Sequence, residues 1–304
     1  MTVPPPLLVV VGATATGKSA LAVQLAHRLN GEIINADALQ LYRGMDIGTA
    51  KVTREEREGV PHHLLDVLDV TQEASVKAYQ REARRICEEI RARGKVPIAV
   101  GGSGLYVRAL TDHMDMPGTD PVVRARYEAI AEQQGPAALH HLLTQRDPEA
   151  ASVIIPSNVR RVIRALEVGE LTGKPFVAVA PPPQWHLDNT VAIGLRMPRE
   201  HLHQRIDLRA RRMFAEGLLD ETQHLREQGL DRGKTASRAI GYSQALAVLD
   251  GTMTLDQAIE ATTVGTRRLV RKQDTWFRRD QRVRWVDALP GDDLIERAMK
   301  AIDD

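Results

Sequence analysis

The chain has 304 residues, of which 43% are hydrophobic and 27% charged, with a formal net charge of +1. That hydrophobic share supports one large domain or two smaller ones and excludes a wholly disordered chain. The single cysteine, Cys87, excludes an intrachain disulfide and a cysteine-rich zinc site.

Residues 7–11 form a valine-rich apolar run ending at Gly12 and read as a buried strand. The run is too short, and lacks the positive flank, for a secretory signal. No apolar run approaches the roughly 20 residues that span a bilayer, so a cytoplasmic protein with no membrane contact is expected. Residues 19–29 place Leu21, Leu25, Ala26 and Leu29 at helical spacing. Strands are expected at 32–35, 64–68 and 96–100, with a helix over 75–93 that includes Cys87. Such alternation predicts a parallel sheet covered on both faces.

The alternation stops at 112–120, a hinge-like stretch with proline, glycine and three aspartates. Short helices are expected at 121–134, 137–144 and 148–153. A longer one spans 158–171, with Val159, Val162, Ile163, Leu166 and Val168 on one side. Glycine and proline in 172–175 end it. Residues 190–195 return to a strand, 200–217 and 218–228 are helical, and so is 254–272. A last strand is expected at 283–286. The fold class is α/β, a P-loop parallel-sheet core with a mainly helical insertion domain. The expected limits are 1–117 and 185–304 for the core and 118–184 for the insertion.

Gly12, Ala13, Thr14, Ala15, Thr16, Gly17, Lys18 and Ser19 fit the phosphate-loop spacing, with a strand before and a helix after. The glycines allow a tight turn around an anion, and successive backbone N–H groups face its oxygens. Lys18 adds a positive charge, and the Ser19 hydroxyl suits a magnesium ion. The loop fits linked phosphates without saying whether they belong to a nucleotide.

Asp37 follows the second strand, where loops converge on the ligand crevice of such sheets. There it serves either as a base or as a turn or helix cap. The loop of Gly101, Gly102, Ser103 and Gly104 follows the strand at 96–100, and Ser103 either offers its hydroxyl to the site or caps the next helix. Residues 42–51 add a glycine-bearing loop suited to covering an extended substrate. Arg160, Arg161 and Arg164 cluster on one helix. Arg267, Arg268, Arg271, Lys272, Arg278, Arg279, Arg282 and Arg284 make a denser run, read as a surface for RNA phosphates. The interleaved Trp276, Phe277 and Trp285 are read as facing the core. His62, His63, His201 and His203 lack the spacing of a zinc site.

Together, in this order, these segments resemble the tRNA dimethylallyltransferase (tRNA isopentenyltransferase) family of the compact bacterial type. The matching stretches are the phosphate loop, 35–40, 41–51, 61–64, 101–106, 160–168, 239–242 and 266–279. The resemblance implies transfer of a dimethylallyl group from dimethylallyl diphosphate to N6 of adenosine 37 in tRNAs reading codons that begin with uridine. Mg2+ is the implied cofactor, the tRNA anticodon stem-loop the implied partner, and a monomer is expected. By the same resemblance Asp37 is the general base, Ser103 keeps a hydroxyl near the reacting groups, and Lys18 and the phosphate loop hold the leaving diphosphate. Arg205 and Arg209 lie in the segment that supplies an arginine to it.

The RNA contacts expected from the resemblance and the basic clusters start with Asp37, Ala38, Leu39, Gln40 and Ser103. They continue with Arg124, Arg160, Arg161, Arg164, Gly241 and Tyr242, then Arg267, Arg271, Arg278 and Arg279. The chain departs from the family where Ile155, Pro156, Ser157 and Asn158 stand in place of His-Pro-Asn-Asp. A P-loop nucleotide or small-molecule kinase is the alternative, and it leaves the arginine-rich segment without a task. An RNA-binding NTPase switch makes little use of Asp37.

Overall fold

The computed structural model describes residues 5–179, 181–289 and 293–303, so the outer limits 1 and 304 of the expected domains lie outside the described residues. The chain divides into two compact units. One runs up to Asp112 and resumes at Trp185; the other is His113–Gln184, beginning ahead of the expected 118.

In the first unit, β1 (Leu7–Gly12) leads into α1 (Lys18–Leu29), then β2 (Gly31–Asn35), β3 (His62–His63), α2 (Val76–Ala92), β4 (Val96–Val100) and α3 (Gly104–Thr111). The second unit holds α4 (Pro121–Arg146), α5 (Pro148–Val153) and α6 (Val159–Thr172). The first unit resumes with β5 (Thr190–Arg196), α7 (Arg199–Ala215), α8 (Leu218–Glu227) and two short 3-10 turns. It ends with α9 (Tyr242–Leu249), α10 (Leu255–Phe277), β6 (Val283–Asp287) and α11 (Leu294–Asp303). The six strands form one parallel sheet in the order β3-β2-β4-β1-β5-β6. β1 lies between β4 and β5, with Val9 opposite Ala99 and Ala192. Every residue of β1 is buried, as an unbroken apolar run requires of a strand covered on both faces. Leu21, Leu25 and Ala26 of α1 pack with Ala298 of α11 against this sheet.

The strand expected at 64–68 lies earlier, at His62–His63, where Ile33 and Ile34 of β2 pair with the two histidines. The next residues turn away because Leu64 and Asp66 have φ of 61° and 58°, which a strand cannot continue. Helix α2 begins where Ser75 accepts the Ala78 N–H at 3.3 Å. Cys87 is one of its buried residues, and burial pushes its thiol up to about 12, which leaves it unreactive. Helix α10 runs to Phe277, so Trp276 belongs to it. Among the described residues no helix is long and apolar enough to cross a membrane.

In the second unit, α4 is two helices joined at a kink, where Gly135 takes φ 84° ahead of Pro136. This matches the break expected between 134 and 137. Tyr127, Leu139, Leu143, Val162 and Leu166 form its core. Glu167 is fully buried in it and accepts from Arg124 at 3.0 Å, Arg164 at 2.7 Å and the Asp120 N–H at 3.0 Å.

Candidate active site

The loop between β1 and α1 is shaped by its own bonds. Gly12 has φ 136°, and a Cβ there would lie 2.5 Å from the Leu195 carbonyl oxygen of β5. Only glycine satisfies both conditions. Thr16 Oγ1 and Lys18 Nζ both donate to the Ala13 carbonyl, at 2.8 and 2.6 Å. Backbone N–H groups around such a turn and at the start of the helix that follows suit an anion. Burial pushes the Lys18 ammonium down to about 8, with the Asp37 charge opposing and Arg209 assisting.

This loop forms one wall of a cavity of about 400 Å³. Thr14, Ala15, Gly17, Lys18 and Ser19 line it, while Gly12, Ala13 and Thr16 stand behind them. The cavity is also lined by Asn35, Asp37 and Gln40 after β2, by Thr49 and Ala50, and by Gly101 and Gly102 after β4. Arg205 and Arg209 reach it from α7. Arg209 donates to Thr14 Oγ1 at 3.2 Å and to the Thr49 carbonyl at 3.4 Å, and burial lowers its pKa against the pull of Asp37. The loop at 42–51 thus contributes to the cavity through Thr49 and Ala50. Glu221 of α8 holds its backbone, accepting the Ile47 N–H at 2.9 Å.

Asp37 has both a turn-capping bond, in which its Oδ1 accepts the Leu39 N–H at 2.9 Å, and a place in the cavity lining. Its own backbone is fixed by Asn35, whose side chain accepts the Asp37 N–H and donates to the Asp37 carbonyl, both at 3.0 Å. Ser103 occupies the N-cap position of α3 but makes no side-chain cap bond. Its Oγ accepts the Ala38 N–H at 3.3 Å instead, tying the two loops together, and it stands outside the cavity lining.

Gln273 is a lining residue that the sequence reading missed. It is the neutral member of a basic segment, and it falls on the buried stripe of α10 between Val270 and Phe277. A glutamine at an apolar stripe position is the signal that a helical count would have found, because a buried amide needs partners.

The residues expected to meet RNA fall into three sets. Asp37, Ala38, Leu39 and Gln40 sit on the loop after β2, where Asp37 and Gln40 line the cavity. On α10 and just beyond it, Arg271, Arg278 and Arg279 are exposed, as are Arg268 and Lys272. The remaining arginines, Arg160 apart, are engaged in the fold. Arg267 pairs with Asp207 at 2.6 Å, Arg124 and Arg164 surround Glu167, and Arg161 donates to the Ala178 carbonyl. Arg160 is exposed.

Gly241 and Tyr242 need correction as an RNA approach. Both are buried, and the Tyr242 hydroxyl donates to Glu221 at 2.6 Å. Its ring fills the space beside Gly48, where a Cβ would lie 2.3 Å away. The side chain is core and presents no surface to RNA. At the departure from the family pattern, Ile155 is 64% exposed and Asn158 starts α6 without a side-chain cap bond. Of the three aromatics, Phe277 is buried as expected, whereas Trp276 is 41% exposed against Gly104.

Fold and cavity together define an α/β protein with a parallel sheet, in which the phosphate-loop motif, Arg205, Arg209 and Asp37 line one cavity. The IPP transferase family model matches residues 40–280. A tRNA dimethylallyltransferase of Kineococcus radiotolerans is 56% identical over 98% of this chain and 96% of its own length. One of Streptomyces coelicolor is 57% identical over 93% and 90%. The crystal structure of the tRNA isopentenylpyrophosphate transferase from Bacillus halodurans has a TM-score of 0.71 at 42% identity, covering 97% of this chain and 94% of that one. A eukaryotic dimethylallyltransferase acting on tRNA has a TM-score of 0.82 at 29% identity, covering 97% and 77%. The chain belongs to the IPP transferase family.

Proposed function

We propose that the chain transfers a dimethylallyl group from dimethylallyl diphosphate to N6 of adenosine 37 in tRNA, in tRNAs reading codons that begin with uridine. The observation that carries this reading is the cavity itself. It gathers Lys18, Arg205 and Arg209, suited to a diphosphate, with the carboxylate of Asp37 around one cavity of about 400 Å³. Its whole-chain relatives, which are tRNA dimethylallyltransferases, support the same reaction.

The exocyclic amine of adenine is a weak nucleophile, because its lone pair is shared with the ring. Asp37 orients it and takes its proton as the carbon–nitrogen bond forms. The bond from the allylic carbon to the diphosphate oxygen breaks, and the electron pair leaves with the diphosphate. Lys18, the loop N–H groups and Arg209 stabilise the charge that builds there. The base reaches the crevice by leaving its stack, which costs less in a loop than in a duplex.

Mg2+ fits this site through Ser19, a cavity-lining hydroxyl at the start of α1. Among the described residues no group of three or more His, Cys, Asp or Glu forms a metal cage. Magnesium that is held mainly by phosphates and water needs none. When bound, it neutralises charge on the diphosphate oxygens.

The test is incubation with dimethylallyl diphosphate, Mg2+ and an unmodified adenosine-37 tRNA, read by nucleoside mass analysis. N6-dimethylallyladenosine is the expected product. Unmodified adenosine in that assay, with phosphate transfer from ATP, replaces this reading with a kinase.

A further inference from the structure

Several strand ends contribute to the cavity, and one side chain joins two of them. Gln273 of α10 is only 7% exposed. Its Oε1 accepts the Thr14 N–H of the phosphate loop at 2.9 Å, and its Nε2 donates to the Gly102 carbonyl at 3.0 Å. The fit at Gly102 is close, since a Cβ there would lie 2.3 Å from Nε2 and would displace the Gln273 carboxamide. The connection continues from Gly102 to Ser103, whose Oγ accepts the Ala38 N–H at 3.3 Å, and Ala38 adjoins Asp37. A bonded path therefore runs from the phosphate loop to the loop that carries Asp37.

We propose that Gln273 is a positioning residue for the transfer reaction. Its carboxamide fixes the phosphate loop against the two-glycine loop and so sets the distance between the allylic carbon and the attacking nitrogen. It acts through Thr14 and Gly102 and touches neither reacting atom. A packing role alone does not account for it, because an aliphatic side chain fills a helix stripe without needing two buried partners. The inference rests on the transfer reaction proposed above.

Three proteins separate these roles: the parent, Gln273→Met and Gln273→Glu. Methionine keeps the length and volume of the side chain and removes both bonds. Glutamate keeps the acceptor for Thr14 and loses the donor to Gly102. The measurements are the single-turnover rate with both substrates saturating, and equilibrium binding of dimethylallyl diphosphate. Misplacement of reacting groups by about 1 Å costs on the order of 100-fold in rate. Gln273→Met is expected to lose about 30- to 100-fold in rate, with binding changed less than about threefold, and Gln273→Glu about tenfold.

A methionine variant as fast as the parent overturns the inference, and so does a loss that disappears when the diphosphate substrate saturates. If methionine prevents folding, a glutamate variant as fast as the parent overturns it equally. A parent that transfers nothing overturns the reaction itself, which is a different result from an active parent with an equally active variant.

Discussion

The arginines of the second unit and the cations of the cavity look alike in sequence and differ in what they hold. Arg124 and Arg164 converge on Glu167, a carboxylate with no exposure. In the cavity, Lys18 donates to the Ala13 carbonyl and Arg209 to Thr14 Oγ1 and the Thr49 carbonyl. A cation matched by a buried carboxylate is committed to the fold, because parting them leaves an uncompensated charge. A cation resting on neutral oxygens exchanges those bonds for an anion at a net gain, since charge-assisted bonds are about twice as strong. Burial alone does not separate the two cases; the charge of the partner does.

The largest expected effect tests the cavity's acid. Asp37→Asn retains an oxygen for the Leu39 N–H and removes the basicity. General-base catalysis contributes about 100- to 10,000-fold, so the single-turnover rate should fall within that range while both substrates bind nearly as before. A near-parental rate would reduce Asp37 to its turn-capping bond. The opposite change is Glu167→Ala, which removes the carboxylate shared by Arg124 and Arg164. Breaking a buried pair costs about 3–5 kcal/mol, and the partly exposed arginines put this case at about 3. Thermal unfolding should show that loss, and binding of dimethylallyl diphosphate by the folded fraction should be unchanged. Parental stability would remove the distinction drawn between the two regions.

Lys18→Ala should invert that pattern, weakening diphosphate binding by about 2 kcal/mol without lowering the melting temperature at pH 7. The sign follows from its pKa, held at about 8 against an ordinary 10.5. The folded state disfavours the charged form. The cost is fully present below about pH 8 and disappears as pH rises through 10.5, so removing the ammonium does not destabilise the fold at neutral pH. Bound diphosphate reverses the preference and draws a proton onto Lys18. Affinity should be flat below about pH 7 and fall by up to about tenfold per pH unit between about 8 and 10. In Lys18→Arg the slope should vanish, because arginine stays protonated throughout. Isothermal titration in buffers of different ionisation enthalpy measures the proton uptake directly.

What was legible in the sequence follows the same division. The phosphate loop, Asp37 and the two-glycine loop were readable because each follows an apolar strand, and parallel sheets bring strand ends together. The break in α4 was readable because proline follows glycine. The position of β3 was not, since Leu64 and Asp66 take left-handed conformations that their side chains do not announce. Glu167 and Gln273 were passed over for a related reason. Both are polar residues at buried helix positions with partners distant in sequence, Arg124 for Glu167 and Gly102 for Gln273. Tyr242 was misplaced because a tyrosine beside a glycine suggests an exposed approach, and only the packing around Gly48 shows it to be core.

The smallest expected effect concerns the arginines that the fold leaves exposed. Arg278 caps the C-terminal end of α10 and Arg279 follows it. Both extend the exposed series of Arg268, Arg271 and Lys272 at helical spacing along one side. None of this surface lines the cavity. Replacing Arg278 and Arg279 together by alanine should therefore leave dimethylallyl diphosphate binding and thermal stability within experimental scatter. Affinity for tRNA should fall by about tenfold at moderate salt. Each lost phosphate contact lowers the slope of log affinity against log salt by about 0.7–0.9, so the pair should lower it by about 1.5. Filter-binding titrations at several salt concentrations measure both quantities. Arg124→Ala is the matched control, since it removes the same kind of side chain from the expected RNA-contacting set but from a site beside Glu167. If Arg124→Ala lowers the salt slope and the Arg278/Arg279 pair does not, then charge held by a carboxylate still reaches RNA, and partner charge is the wrong criterion for sorting these arginines. If the pair lowers the slope and Arg124→Ala lowers only stability, the criterion holds where the sequence alone could not apply it.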